Sequence, residues 1–219
     1  MTLPHILFVH GWAYDANIWG PIRSRLGDPE CTVWERGYFE EPGFSLARSE
    51  PPPPGPYLAV GHSFGAMRLL RERPEGCIGL VSICGFARFA SAEDYRGTPM
   101  RILDRMVSRF DVAPGAVVGE FRARCGSQST RVYALRADRL GEDLAVLREG
   151  DERAAAAALD VPVLSLVGGS DQIVSATMSE ASFPQAERAV APGAGHLLPL
   201  RQPEWCAAQI TAFARRLGS

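Results

Sequence analysis

The sequence predicts an α/β protein, a mostly parallel sheet flanked by helices with a helical segment inserted late in the sheet. Three observations predict it. Short continuous apolar runs, beginning with His5-Ile-Leu-Phe-Val-His10, suit strands buried on both faces. Segments of helical period stand between these runs, the alternation of a parallel sheet covered on both sides. The alternation stops near Phe86 and resumes with Val161-Pro-Val-Leu-Ser-Leu-Val167. The expected layout is a core of residues 1–85 and 160–219 and a helical lid of residues 86–159.

Each element has its local reason. After the first run, closed by Gly11, a helix is expected over Asn17 to Leu26, with Ile18, Ile22 and Leu26 on one face and Pro21 in the first turn. Thr32 to Glu35 reads as a weaker strand. Residues Glu40 to Pro56, with Pro51-Pro-Pro-Pro54, cannot form a regular helix, because proline removes donors and restricts its predecessor. Tyr57 to Val60 is the next strand, followed by a turn at Gly61 to Gly65 and a helix through Met67, Leu69 and Leu70 that ends before Pro74. Cys77 to Ile83 is a strand, and residues 86–159 contain helices without a convincing buried strand. A strand around Arg188 to Ala191 and a helix from Pro203 to Leu217 close the chain.

Composition narrows the function. The 219 residues, 46% of them hydrophobic, suffice for one sizeable core. The formal charge of −2 carries no broad basic excess, which argues against a nucleic-acid partner. All 23 basic residues are arginines, whose planar forks suit carboxylate and phosphate. No basic start with an apolar core and cleavage site is present, and no run approaches the roughly 20 apolar residues of a membrane span. Cys31, Cys77, Cys84, Cys125 and Cys206 form an odd set without metal-binding spacing, so free thiols in a reducing cytoplasm are expected. Cys84, near a strand end, is read as a buried structural thiol.

The chemistry concentrates at strand ends. Gly61-His62-Ser63-Phe64-Gly65 matches G-x-S-x-G between an expected strand and an expected helix, the setting of a sharp turn that lifts a serine hydroxyl above a sheet. His10-Gly11-Trp12 follows the first strand, so the amides of Trp12 and Phe64 are candidates for an oxyanion hole. Gly168-Gly169-Ser170-Asp171 and Gly193-Ala194-Gly195-His196 follow the last two strands, which gives the chain order Ser, Asp, His. The expected roles are Ser63 as nucleophile, His196 as general base and Asp171 as the acid that orients it. His62 should point away from the tight turn, His5 lies at the far strand end, and His10 is expected to support the oxyanion loop by hydrogen bonding. Asp15 and Glu35 lie in loops but follow the wrong strands for the acid. This chemistry needs no cofactor or metal.

Together with the Pro42-Gly-Phe44 loop, these motifs resemble the α/β-hydrolase superfamily over nearly the whole chain. Within it the sequence is similar to the pimeloyl-acyl-carrier-protein methyl ester esterases of biotin synthesis, in compact size, the HGW loop and the placement of the lid. The resemblance implies a serine carboxylesterase whose lid covers an acyl chain. The stretch Val118-Gly-Glu-Phe-Arg-Ala-Arg-Cys125 resembles the family's lid helix, which implies substrate contacts by Phe121, Arg122, Arg124 and Cys125 beside Trp12 and Phe64. The family's lid arginines imply docking of an acidic acyl-carrier protein, for which Arg101, Arg105 and Arg109 and then Arg122, Arg124, Arg131 and Arg136 are available, although Glu120 stands where an arginine is expected. The proline-rich connection and the missing first antiparallel pair are further departures. A general small-ester carboxylesterase and a non-catalytic ligand-binding homologue remain alternatives to the carrier-protein esterase.

Overall fold

The computed structural model describes residues 3–40, 53, 55–127 and 134–217. The Pro42-Gly-Phe44 loop, most of the proline-rich connection and Arg131 lie outside them.

The sheet begins with β1 (His5–Val9), after which a 3₁₀ turn over Ala16–Trp19 leads into α1 (Gly20–Arg25). One continuous helix was expected here. Pro21 has no N–H to return to residue 17, and instead the Gly20 N–H donates to the Asn17 carbonyl, three residues back. The chain continues through β2 (Cys31–Trp34), the two-residue β3 (Phe39–Glu40), β4 (Tyr57–His62), α2 (Phe64–Glu72) and β5 (Cys77–Ile83). The helices α3 (Met100–Phe110), α4 (Pro114–Arg124), α5 (Ala137–Glu149) and α6 (Arg153–Ala157) follow. Among them lies β6 (Ala134–Leu135), which pairs antiparallel with β3. It is short and not buried, and therefore left no strand signal in the sequence. Then come β7 (Val163–Gly168), α7 (Ala176–Ser182), β8 (Glu187–Ala191), α8 (Leu198–Arg201) and α9 (Pro203–Leu217).

Six strands form one sheet in the order β2-β1-β4-β5-β7-β8, and every pairing is parallel. Alternate residues serve opposite faces. Ile6, Phe8, Leu58, Val60, Val81 and Ile83 belong to the larger core, which takes in residues of α1, α9 and the helices after β5. Leu7, Val9, Tyr57, Ala59 and Leu80 meet Ala66, Leu69 and Leu70 of α2 on the other face. Burying each such leucine stabilises the fold by about 2 kcal/mol. The chain runs outward from β1 to β2 and then returns to add β4, β5, β7 and β8 on the other side. The strand order reverses between β1 and β4, the place where open α/β sheets leave a crevice at their carboxyl ends.

Candidate active site

Ser63 stands at that crevice, directly after β4 and before α2, with φ 54° and ψ −123°. The turn is paid for by close packing: a Cβ on Gly65 would lie 2.0 Å from the Val9 carbonyl oxygen, so only glycine lets α2 start against β1. Ala13 and Cys84, just beyond β1 and β5, are also left-handed, at φ 61° and 48°. Three of the five non-glycine residues with positive φ among the described residues thus stand at neighbouring strand ends around one crevice.

Ser63 Oγ lies 3.0 Å from His196 Nε2, and His196 Nδ1 lies 2.8 Å from Asp171 Oδ2. With the carboxylate accepting from Nδ1–H, Nε2 of the neutral ring is left to accept the serine proton. The other carboxylate oxygen accepts from the amides of Ile173 and Val174 at 2.7 and 3.0 Å. Burial alone would raise the Asp171 pKa, but His196 and the two amides outweigh it and hold the carboxyl below its ordinary value. The side chains of His196 and Asp171 are each 1% exposed, so this relay is shielded from bulk water.

The two loops that deliver the acid and the base are laced together. Ser170 N–H donates to the Ala194 carbonyl at 2.8 Å and Gly169 N–H to that of Ala191 at 3.0 Å. A Cβ on Gly168 would come within 2.5 Å of the Gly195 carbonyl, which explains glycine there. Cys84 is a buried thiol, and burial pushes its pKa well up. Its sulfur and donor atoms of Asp171 and His196 lie within 4.8 Å of one another, spacing that a metal ion would accept. The facing atoms of Asp171 and His196 are already engaged with each other, so this set suits proton relay better than ligation.

Phe64 opens α2, and the first amides of a helix have no partner within it. Trp12 approaches from β1, both residues being about 1% exposed. The Trp12 indole N–H donates to the Leu140 carbonyl of α5 at 2.9 Å, and its ring meets Phe121 edge-on at 4.9 Å. His10 supports this loop as expected, with Nδ1 donating to the Gly11 carbonyl at 3.0 Å.

His62 points away from the turn, but it is not idle. Its Nε2–H donates to the His196 carbonyl at 2.9 Å, and the two rings are 4.9 Å apart. Complete burial, and then the neighbouring His196, lower its pKa to about 3. Glu35, set aside as a loop acid, meets His10 Nε2 at 3.0 Å and accepts from the amides of Ala16 and Gly37. Burial would raise its pKa, but these partners hold it down to about 2. Neither role leaves a signal in the sequence, because no motif ties His62 or Glu35 to its distant partner as the strand-end motifs tie Ser63, Asp171 and His196.

The expected lid contacts divide. Phe121 and Arg124 line a cavity of about 330 Å³ with Phe89, Leu103, Met106 and Asp171. Arg122 instead lays its guanidinium over the rings of Tyr14 and Phe39, at 5.3 and 5.5 Å, which removes it from the outward-facing arginines. Cys125 is buried beside Tyr14, and burial pushes its thiol up to about 12. On α3, Arg101, Arg105 and Arg109 are exposed while Leu103 and Phe110 are buried, as the helical spacing predicts. Arg109 is paired with Glu120 at 2.6 Å and Arg136 with Asp138 at 3.1 Å. The five cysteines are thiols outside any disulfide, and among the described residues no helix is long and apolar enough to cross a membrane.

Comparison with known proteins agrees with this fold. The chain is 27% identical to the biotin biosynthesis bifunctional protein BioHC of Cellvibrio japonicus, across 100% of its own length and 49% of that protein's. It therefore spans about half the length of that relative. It is 24% identical to the pimeloyl-[acyl-carrier protein] methyl ester esterase of Pectobacterium atrosepticum, over 96% of this chain and 94% of that one. Among solved structures, a thermophilic esterase from Thermogutta terrifontis superposes with a TM-score of 0.73 at 25% identity, covering 100% of this chain and 92% of its own. The profile of the alpha/beta hydrolase family matches residues 6–209, nearly the whole sheet and every strand end discussed above, and the chain belongs to that family.

Proposed function

We propose that this chain is a serine carboxylesterase acting through an acyl-enzyme, and that its substrate is the methyl ester of pimeloyl-acyl-carrier protein in biotin synthesis. The observation that carries the esterase reading is the unbroken relay from Ser63 Oγ through His196 to Asp171. His196 Nε2 takes the hydroxyl proton while Oγ bonds to the ester carbonyl carbon. The oxygen that becomes negative faces the amides of Trp12 and Phe64. Collapse breaks the bond to the alcohol, which leaves with the proton from His196. Water then gives a proton to His196 as its oxygen bonds to the acyl carbon, and collapse breaks the bond to Ser63 Oγ, which takes that proton back from His196 as the acid leaves. Asp171 stays ionised throughout and stabilises the charged imidazole.

The substrate rests on the names of the Cellvibrio and Pectobacterium relatives and on chemistry suited to an acidic carrier. Arg101, Arg105 and Arg124 are exposed, and among the described residues they have no ion pair. A free small ester is the second reading, favoured by the Arg109–Glu120 and Arg136–Asp138 pairs, which neutralise two of the arginines a carrier protein would use.

The test compares p-nitrophenyl esters of graded chain length with a methyl pimeloyl thioester on carrier protein. A much higher kcat/KM for the carrier-bound ester, falling with added salt, is expected. Equal turnover of short free esters, with failure of active protein to restore growth of a biotin auxotroph lacking the methyl esterase, sinks the carrier-protein reading. A wild-type chain in which Ser63 takes no fluorophosphonate label sinks the esterase reading altogether.

A further inference from the structure

Helix α5 lies in the segment expected to be a lid, yet it is fastened to the oxyanion loop by two separate routes. The first is the Trp12 indole, which donates to the Leu140 carbonyl at 2.9 Å. The second starts at Asp143, one turn along the same helix and 5% exposed. Its carboxylate takes a two-pronged grip from Arg36, at 2.6 Å from Nε and 3.0 Å from Nη2, and accepts from the Tyr38 hydroxyl at 2.5 Å. Burial, and then the adjacent carboxylate, keep the Tyr38 hydroxyl protonated, so it remains a donor. Arg139, also on α5, donates to the Arg36 carbonyl at 2.8 Å.

The segment thus held governs His10. Glu35 Oε1 and the Arg36 N–H lie 3.0 and 3.1 Å from His10 Nε2. A neutral ring protonated on Nδ1 accepts from the Arg36 amide, and a charged ring donates to Glu35. In both states Nδ1–H donates to the Gly11 carbonyl at 3.0 Å. That carbonyl shares a planar peptide unit with the Trp12 N–H, so fixing the direction of one fixes the other.

We infer that Asp143 is a positioning residue for the reaction, and that α5 is a fixed strut of the oxyanion hole which holds the Gly11–Trp12 peptide in its productive orientation. The inference rests on the serine esterase reading. Pre-set donors matter because they stabilise the developing charge without having to reorganise.

The experiment measures kcat and KM per active site, counted by fluorophosphonate labelling, for wild type, Asp143→Asn and Glu142→Gln on one p-nitrophenyl ester. Glu142 is the exposed partner of the same Arg36 and serves as the control. Asp143→Asn should lower kcat about tenfold or more with KM nearly unchanged, as misplacement of a reacting geometry does. It should weaken a trifluoromethyl ketone, whose Ser63 adduct carries the oxyanion, by the same factor as kcat/KM. Glu142→Gln should match wild type. If Asp143→Asn does not fold, Arg36→Lys, which gives up the two-pronged grip, decides in the same way. Lowered thermal stability with kcat per labelled site and ketone affinity unchanged would overturn the inference alone. A wild type that is neither labelled nor active overturns the esterase reading with it.

Discussion

The carboxyl end of the sheet and the surface of the helices after β5 are built by different forces. Around Ser63 the backbone is pressed into left-handed turns, carbonyls approach within reach of any added Cβ, and the relay is buried. On the outer faces of α3, α4 and α5, exposed arginines pair with exposed acids, as Arg109 does with Glu120 and Arg148 with Asp104. Exposed pairs of this kind contribute little, because water and salt screen them and ordering long side chains costs entropy. The difference teaches where the molecule is intolerant: geometry is enforced around the buried Ser63–His196–Asp171 relay and left to screened, exposed pairs on the outer helix faces. Asp143 crosses that division, a buried carboxylate on the same helix as the exposed Asp138, Glu142 and Glu149.

Substitutions can break or sharpen this contrast. The largest effect is expected at Ser63: Ser63→Ala should lower ester hydrolysis by at least about 10⁴-fold while leaving the melting temperature nearly unchanged. Residual activity near wild type would mean that the relay does not act as a unit. Next comes Gly65→Ala, whose Cβ would meet the Val9 carbonyl at 2.0 Å. It should cost at least about 3 kcal/mol in urea unfolding, and a cost under about 1 kcal/mol would show that the elbow can relax.

A smaller, pH-dependent effect is expected at His62. Its folded pKa, about 3, lies below its ordinary 6.5, so the unfolded chain binds the additional proton between those values. The stability due to neutral His62 is therefore fully present above about pH 6.5 and is lost as pH falls from there toward 3. One such group changes stability by about 1.4 kcal/mol per pH unit, or about 2 kcal/mol between pH 6.5 and 5. Urea titrations at the two pH values should show this loss in wild type and not in His62→Gln, and equal losses in both would assign it elsewhere. The smallest effect is expected on α3, where Arg109→Ala should leave the unfolding midpoint and the turnover of small free esters unchanged. A clear loss of stability there would erase the contrast between the two regions.

The sheet and the relay were legible because each depends on short-range pattern. An apolar run of five or six residues is a buried strand wherever it occurs, and a serine between glycines at the end of such a run has few other uses. The turn at Pro21 was legible only in part: the sequence marks a helix start, but the switch to 3₁₀ bonding depends on which carbonyl the missing N–H would have reached. The arginines of α3 were legible as a stripe, because helical period sets their direction. Those of α4 were not, since Arg122 turns inward to two rings contributed by distant segments.

By itself the sequence determined the strand runs, the elbow at Ser63, and the order in which Ser63, Asp171 and His196 leave the sheet. These follow from backbone sterics and from the burial of apolar side chains, which act over a few neighbouring residues. Only the tertiary structure decided that His62 donates to the His196 carbonyl, that Glu35 meets His10 while Asp143 holds Arg36 and Tyr38, and that Arg122 faces inward. Each of those contacts joins residues 25 to 134 positions apart or depends on the docking of a whole helix, and no local pattern encodes which distant group will be close enough to accept a proton.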